Sequence, residues 1–429
     1  MKVVVEQKVL IKLLERGGMA ALSEGAQADT SNRSLLIKSV HIKVADDITV
    51  SSASSLVASR YNSPIGSEHG IDVKDSGEIV VPAKELYDWV SKQRPNSQIG
   101  IVLKELDVPE LLNVVDSDIA QESDKKAIKR TGTITVTSKD QSKTGAKWSL
   151  NCYDSEQLPS LSPVLDNSGA KKLFEIEAVK FKRAVKKVKF AAEKTHYQHL
   201  FDSICISEHE DALYALTTDK KKVALYRIAD SFDGELKGLL PIPVLPLNQF
   251  IGFVGDGEKI VAHYDEAKNK VFLSTDDFII RTSMAEKDKW AKIPPVKLLK
   301  DVKYEKLGKI PKDILTSRLV SLTMATNTSA LFTFAKDSLV MFAQSEVCPS
   351  PMITNAPVEG LTKDVEIATL VSSVLGCLKA ISDEDATFHI ADNENSLKIV
   401  SDDDESFTFY VMAVNKGYLV ENRNNAKTK

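Results

Sequence analysis

The chain has 429 residues, 43% apolar and 27% charged, with a formal net charge of −4. That length exceeds a single core and implies two to four domains of ordinary globular protein. No run of about 18 apolar residues exists, which excludes a membrane-spanning helix, and four scattered cysteines (Cys152, Cys205, Cys348, Cys377) lack the spacing of a zinc site or redox dithiol. They read as reduced thiols of a cytoplasmic protein. The N-terminus, MKVVVEQKVLIKLL, carries charges through its apolar stretch and lacks a small-residue cleavage site, so it reads as folded protein, not a signal peptide.

Taken in chain order, the elements repeat. Val5, Leu10 and Leu14 mark a strand end running into a helix, and Ser39–Ser52 alternates as half-buried strands do. Pro82–Leu86–Val90 spaces a second helix with proline in its first turn, where the missing N–H costs nothing. QIGIVL follows as a strand, and then a polar, weakly periodic stretch, 104–132, reads as a surface insertion. The pattern restarts at Ile176, Phe181 and Val185, continues through strands in Asp202–Thr218 and a second Pro246–Phe250–Val254 helix, and ends in KIVAHY and KVFLST. A third copy opens at Ile310, Leu315 and Leu319, with strands in Ala330–Gln344, a helix without the proline in Thr369–Ile381, and strands ATFHIA, LKIVS and FTFYVMAV. Residues 417–429 read as a frayed polar tail. The grammar is strand, helix, three strands, helix, three strands, written three times. Each copy is α+β, two helices on one face of an antiparallel sheet. The expected domains are 1–168, 169–300 and 301–416.

The strongest local chemistry lies in AVKFKRAVKKVKFAA, residues 178–192. Phe181, Ala184, Val185, Val188 and Ala192 form one stripe, while Lys180, Lys182, Arg183, Lys186, Lys187 and Lys189 occupy the other side without an acid among them. Six like charges on about three turns repel one another, so a solvated face competes with a polyanion-binding face as the reading. The first helix of the first repeat adds Lys8, Lys12 and Arg16 at i, i+4 and i+8; that of the third repeat adds Lys312 and Arg318, and Lys379 lies in its second helix. Basic helices within a mildly acidic chain divide the field, as suits binding phosphates on one face. The candidate phosphate-contacting residues are Lys8, Lys12, Arg16, Lys180, Arg183, Lys186, Lys187, Lys194 and Arg318.

The repeat order, with IVVPAKELYDWV (79–90), WSLNCYDSEQLPSL (148–161), ALTTDKKKVALYRI (215–228), FIIRTSMAEKDKW (278–290) and FYVMAVNK (409–416), resembles the bacterial β sliding clamp, the β subunit of DNA polymerase III. The resemblance runs from Met1 to about Lys416. It implies a ring-shaped homodimer that encircles duplex DNA without reading its sequence, performs no chemistry, needs no cofactor, and tethers a DNA polymerase and a clamp loader through short linear peptides. Two copies would line a ring with twelve helices; at about 10 Å each, the opening is roughly 28 Å clear, wide enough for a duplex of about 20 Å and a water layer. Carried over residue by residue, the peptide cleft involves Phe201, Thr218, Lys222, Val223, Val296, Tyr410, Met412 and Val414. Where such clamps usually read T-D-G-H-R-L, this chain reads Thr218-Asp219-Lys220-Lys221-Lys222-Val223, and the usual terminal M-P-M-R-L becomes Met412-Ala413-Val414-Asn415-Lys416.

Two alternatives come from other classes. His196 and His199 place two imidazoles at metal-ligand spacing on a helix, though no carboxylate or cysteine partner follows. A clamp-fold scaffold that no longer encircles DNA is the other, favoured by the thin basic charge of the third repeat.

Overall fold

The computed structural model describes residues 1–23, 37–54, 57–112, 128–139, 145–155, 165–192, 201–284, 293, 296–325, 329–345 and 348–427. Three strand-to-helix steps organise it: β1 (Lys2–Glu6) into α1 (Gln7–Gly17), β10 (Lys171–Glu177) into α4 (Ala178–Val188), and β18 (Tyr304–Pro311) into α7 (Lys312–Leu322). Each helix has eleven residues. The apolar triplets seen in the sequence are all buried, because each supplies one inward residue at the strand end and two a helical turn apart. A short α2 (Met19–Ser23) follows α1.

Four strands follow each first helix: β2 (Ser39–Val44), β3 (Asp47–Ala53), β4 (Val57–Pro64) and β6 (Gly77–Pro82); β11 (Ser203–His209), β12 (Ala212–Thr218), β13 (Lys222–Ala229) and β14 (Leu239–Pro243); β19 (Ser329–Ala335), β20 (Ser338–Ser345), β21 (Cys348–Pro357) and β22 (Val365–Leu370). The first repeat inserts β5 (Ile71–Asp75) before β6. The expected grammar therefore lacked one strand per repeat. The missing strands are five or six residues long and run straight into the second helices, α3 (Ala83–Ser91), α5 (Val244–Phe253) and α8 (Val371–Ala380). Pro82 ends β6 at the cap of α3, and Pro246 lies in the first turn of α5, both places where a proline leaves no intrahelical bond unmade. Three strands close each repeat: β7 (Gln98–Leu112), β8 (Ile128–Lys139) and β9 (Lys147–Tyr153); β15 (Lys259–Asp265), β16 (Lys270–Ser274) and β17 (Phe278–Ser283); β23 (Asp385–Ala391), β24 (Ser396–Val400) and β25 (Phe407–Met412). A six-residue α6 (Val296–Asp301) precedes β18.

The sheets expose the triplication. Half-sheets β4-β3-β2-β6, β13-β12-β11-β14 and β21-β20-β19-β22 share one order, as do β9-β8-β7-β1, β17-β16-β15-β10 and β25-β24-β23-β18. Neighbouring repeats join antiparallel: β4 with β17 from Val57↔Thr282 to Tyr61↔Phe278, and β13 with β25 from Lys222↔Val411 to Tyr226↔Phe407. The chain accordingly divides into two compact units, Met1–Ala178 with Leu245–Ser283, and Val179–Val244 with Met284–Lys429, each holding one such seam.

Two sequence expectations change. The flanks of the 104–132 stretch are strand: β7 and β8 pair as far as Leu112↔Ile128, with a bulge between Glu105 and Glu110, and residues 113–127 lie outside the described set. The tail is a helix, α9 (Gly417–Lys427), not a frayed end. Leu419 buries against Leu331, Phe342 and Ala368, and the Arg423 guanidinium pairs with the Glu366 carboxylate. One leucine and one ion pair dock a segment whose composition is otherwise polar.

Candidate functional site

The basic residues of the first helices fall into two groups. Lys180, Arg183 and Lys186 on α4, Lys8 and Lys12 on α1, and Arg318 on α7 are exposed, opposite stripes that are buried. Lys8 lies 3.2 Å from Glu6, Lys12 sits 5.4 Å from the Tyr61 ring centre, and Arg183 donates to the Asp404 carboxylate at 3.1 Å. Arg16 and Lys187, grouped with them on sequence, are held inside the fold. The Arg16 guanidinium donates to the Phe253 carbonyl, approaches Glu258 at 3.7 Å and lies over the rings of Tyr61 and Phe278. The Lys187 side chain is 14% exposed, and its ammonium donates to the Ala380 carbonyl at 2.6 Å and Ser382 Oγ at 3.2 Å. Both occupy the last turn of a first helix, where the next repeat's second helix ends. The C-terminal carbonyls of α5 and α8 thus receive cations, which also complement the negative ends of their dipoles. Periodicity places these two residues on the basic face, but only the seams decide which cations remain at the surface. Lys194, His196 and His199 lie outside the described residues.

The end of α1 is anchored at the same place. The Gly17 carbonyl accepts Ser52 Oγ and Ser59 Oγ, each at 2.8 Å. A Cβ on Gly17 would stand 2.2 Å from the Val50 carbonyl oxygen, so no other residue allows this approach.

Most of the residues carried over as a peptide cleft come together in the second unit. Phe201, Val223, Val296 and Tyr410 share one buried cluster with Cys205, Leu216, Leu225, Ile293 and Leu299, and Met412 packs on its side. Ile293 and Leu299 were not anticipated, although with Val296 they recur every three residues, a spacing that marks one helical face. Thr218 is buried and faces Val223 across the sheet, its hydroxyl donating to the Lys222 carbonyl at 2.8 Å and accepting the Lys220 N–H at 3.1 Å. Lys222 pairs with Asp219 at 3.0 Å, and the Lys220 ammonium stands 4.6 Å from the Phe201 ring centre. Burial, with the neighbouring Tyr304 phenol second, pushes the Tyr410 hydroxyl well above its ordinary range. Val414 does not join this cluster: its N–H donates to the Ala368 carbonyl and its side chain packs beside Leu419. The continuation of the chain into α9 draws it there.

Among the described residues no group of three His, Cys, Asp or Glu side chains is placed to hold a metal ion. Cys152, Cys205 and Cys377 are buried free thiols, and burial pushes Cys152 up to about 12, where it stays protonated.

No family model and no curated protein matches this sequence. Solved structures do. The DNA polymerase III β subunit of Pseudomonas aeruginosa is 14% identical, with a TM-score of 0.75 over 97% of this chain and 100% of that one. The β subunit from the DNA polymerase of Streptococcus pyogenes (14%, TM-score 0.74) and the DNA polymerase sliding clamp of Caulobacter crescentus (14%, TM-score 0.73) match over the same shares. Over nearly its whole length, then, this chain has the fold of the bacterial β sliding clamps.

Proposed function

We propose that two copies of this chain close into a ring around duplex DNA and hold a DNA polymerase on it, with no reaction catalysed by the ring itself. The observation that carries this reading is the unfinished symmetry of the sheets. Each internal seam joins the third strand of one half-sheet to the last strand of the next repeat, β4 to β17 and β13 to β25. The same rule leaves β21 of the third repeat for β9 of the first. Among the described strands β21 pairs with β20 alone, and β9 meets β6 through the single pair Val80↔Tyr153. Pairing these edges between copies, head to tail and twice over, leaves no sheet open there. The internal registers, transferred, set Met352 opposite the partner's Trp148.

The helices support the same closure. Met19, Phe190 and Met324 occupy equivalent positions after the three first helices. Met19 is buried, Phe190 packs on Phe409 with ring centres 5.5 Å apart, and Met324 is 79% exposed. Phe409 is the equivalent of Trp148, which stacks on Trp89. Met324 would meet that aromatic pair in the second copy, a favourable sulfur–ring contact. Ile353, 61% exposed on β21, would be covered at the same joint.

Each repeat then contributes two helices to the lining, and Lys12, Lys180, Arg183, Lys186 and Arg318 supply cations to phosphates without base contacts. Partner peptides from polymerase and loader would insert at the Phe201–Val223–Tyr410–Met412 cluster, with three domains (1–168, 169–300, 301–416) per copy. No helix among the described residues is long and apolar enough to cross a membrane, and a cytoplasmic location fits the reduced thiols. Two measurements test the ring. The solution mass should be about 94 kDa, twice 47.2 kDa. Loaded protein should stay on circular plasmid and run off once the plasmid is cut; equal retention on linear DNA defeats the topological link.

A further inference from the structure

Resting on that ring, a second pattern distinguishes its joints. The three first helices align without gaps, so Arg16, Lys187 and Ser321 are equivalent; the buried pairs Leu86/Val90, Phe250/Val254 and Cys377/Ile381 align the second helices, so the carbonyls of Trp89, Phe253 and Ala380 are equivalent. In both internal seams a cation from one repeat donates to that carbonyl of the next, Arg16 to Phe253 and Lys187 to Ala380. At the third position both sides differ together. Ser321 replaces the cation, and its hydroxyl turns back to its own helix at the Ser317 carbonyl, 3.1 Å away. The Trp89 carbonyl is taken by Gln93 Nε2 of its own repeat at 2.9 Å. Arg94 stands where Glu258 neutralises Arg16, so a cation arriving from a second copy would meet a like charge.

We infer that the joint between copies is built without the cation latch that ties the two internal seams, and that this absence sets how readily the copies part. Both surfaces are self-satisfied when separated: neither Ser321 nor the Trp89 carbonyl loses a hydrogen bond on opening. An Arg16-type latch would instead leave a helix carbonyl and a guanidinium to be resolvated at every opening, and a charged hydrogen bond is the costlier kind to break. The internal seams, which stay shut, carry it.

The test grafts the latch onto the intermolecular joint. Ser321→Arg with Gln93→Gly and Arg94→Glu reproduces the free carbonyl and the carboxylate that hold Arg16, since Gly257 and Glu258 are the equivalents of Gln93 and Arg94. Donor- and acceptor-labelled full-length protein is mixed and subunit exchange followed by energy transfer, with circular dichroism reporting the fold. The graft should exchange at least about tenfold more slowly than the unaltered dimer, and about 1 M salt should leave most of the gain in place, because a pair as enclosed as that of Arg16 is screened far less than an exposed one. The milder Ser321→Arg/Arg94→Glu, which keeps Gln93, should lie between and serves if the triple change does not fold. A folded, dimeric graft exchanging at the original rate or faster overturns the inference. An unaltered protein running at 47.2 kDa would instead overturn the ring on which it rests.

Discussion

A guanidinium and an ammonium that look interchangeable with their neighbours in the sequence have different work in the fold. Arg16 and Lys187 hold seams, so Arg16→Met should cost about 2 kcal/mol in denaturant unfolding, the usual loss for a hydrogen bond to a charged group, whereas Lys180→Glu with Lys186→Glu should leave the melting temperature within a few degrees. The surface pair should nevertheless lower retention on circular plasmid and flatten its salt dependence. Lys187→Glu should behave oppositely, unfolding the second unit by placing an acid beside Asp404. His389 makes a pH prediction. Burial, then Lys398 and Lys306, holds its imidazole down to about 4. The unfolded chain, with an ordinary histidine near 6.5, therefore binds the proton first as pH falls. Stability is unaffected above about 6.5 and falls between there and about 4, the folded form then charging as well. His389→Gln should remove that slope from a urea-midpoint profile, and an unchanged slope would assign it to other groups.

At the scale of elements, α9 is the clearest departure from expectation. Its polar composition suggests an unattached end, yet Leu419 fills a depression between Leu331, Phe342 and Ala368 while Arg423 reaches Glu366. Leu419→Asp should detach the helix: limited proteolysis would then cut after 416, and stability should fall by about 2–4 kcal/mol, the range for losing a large buried side chain. Docking also moves Val414 away from the cluster of Phe201 and Tyr410, so Val414→Lys should act through the third repeat's sheet while Met412→Lys acts on peptide binding. The short α6 is the mirror case. Ile293, just ahead of it, and its own Val296 and Leu299 join that cluster from a short stretch in which apolar residues alternate with prolines and lysines.

The whole molecule is a strand-order rule applied three times, with β21 paired to β20 alone among the described strands. Ile353→Lys should raise the dimer dissociation constant by at least about tenfold in sedimentation, because the transferred register sets it opposite the partner's Lys147, a like charge at the joint where β21 would meet its partner. The fold of each monomer should survive, since Ile353 is exposed within one chain. A variant that remains a dimer at all concentrations would place the interface elsewhere.

What the sequence determines alone is what repeats locally: the apolar triplets at strand-to-helix steps, the alternating strands and the lysine-rich face of residues 178–192 follow from periods of two and 3.6, which need no partner to be visible. Resemblance extended this to the whole architecture. The short fourth strands, the docked α9, the seam roles of Arg16 and Lys187 and the separation of Val414 from the Phe201 cluster were decided only in three dimensions. Each depends on contacts between residues tens to hundreds of positions apart, where one carbonyl or one leucine outweighs the composition of its segment.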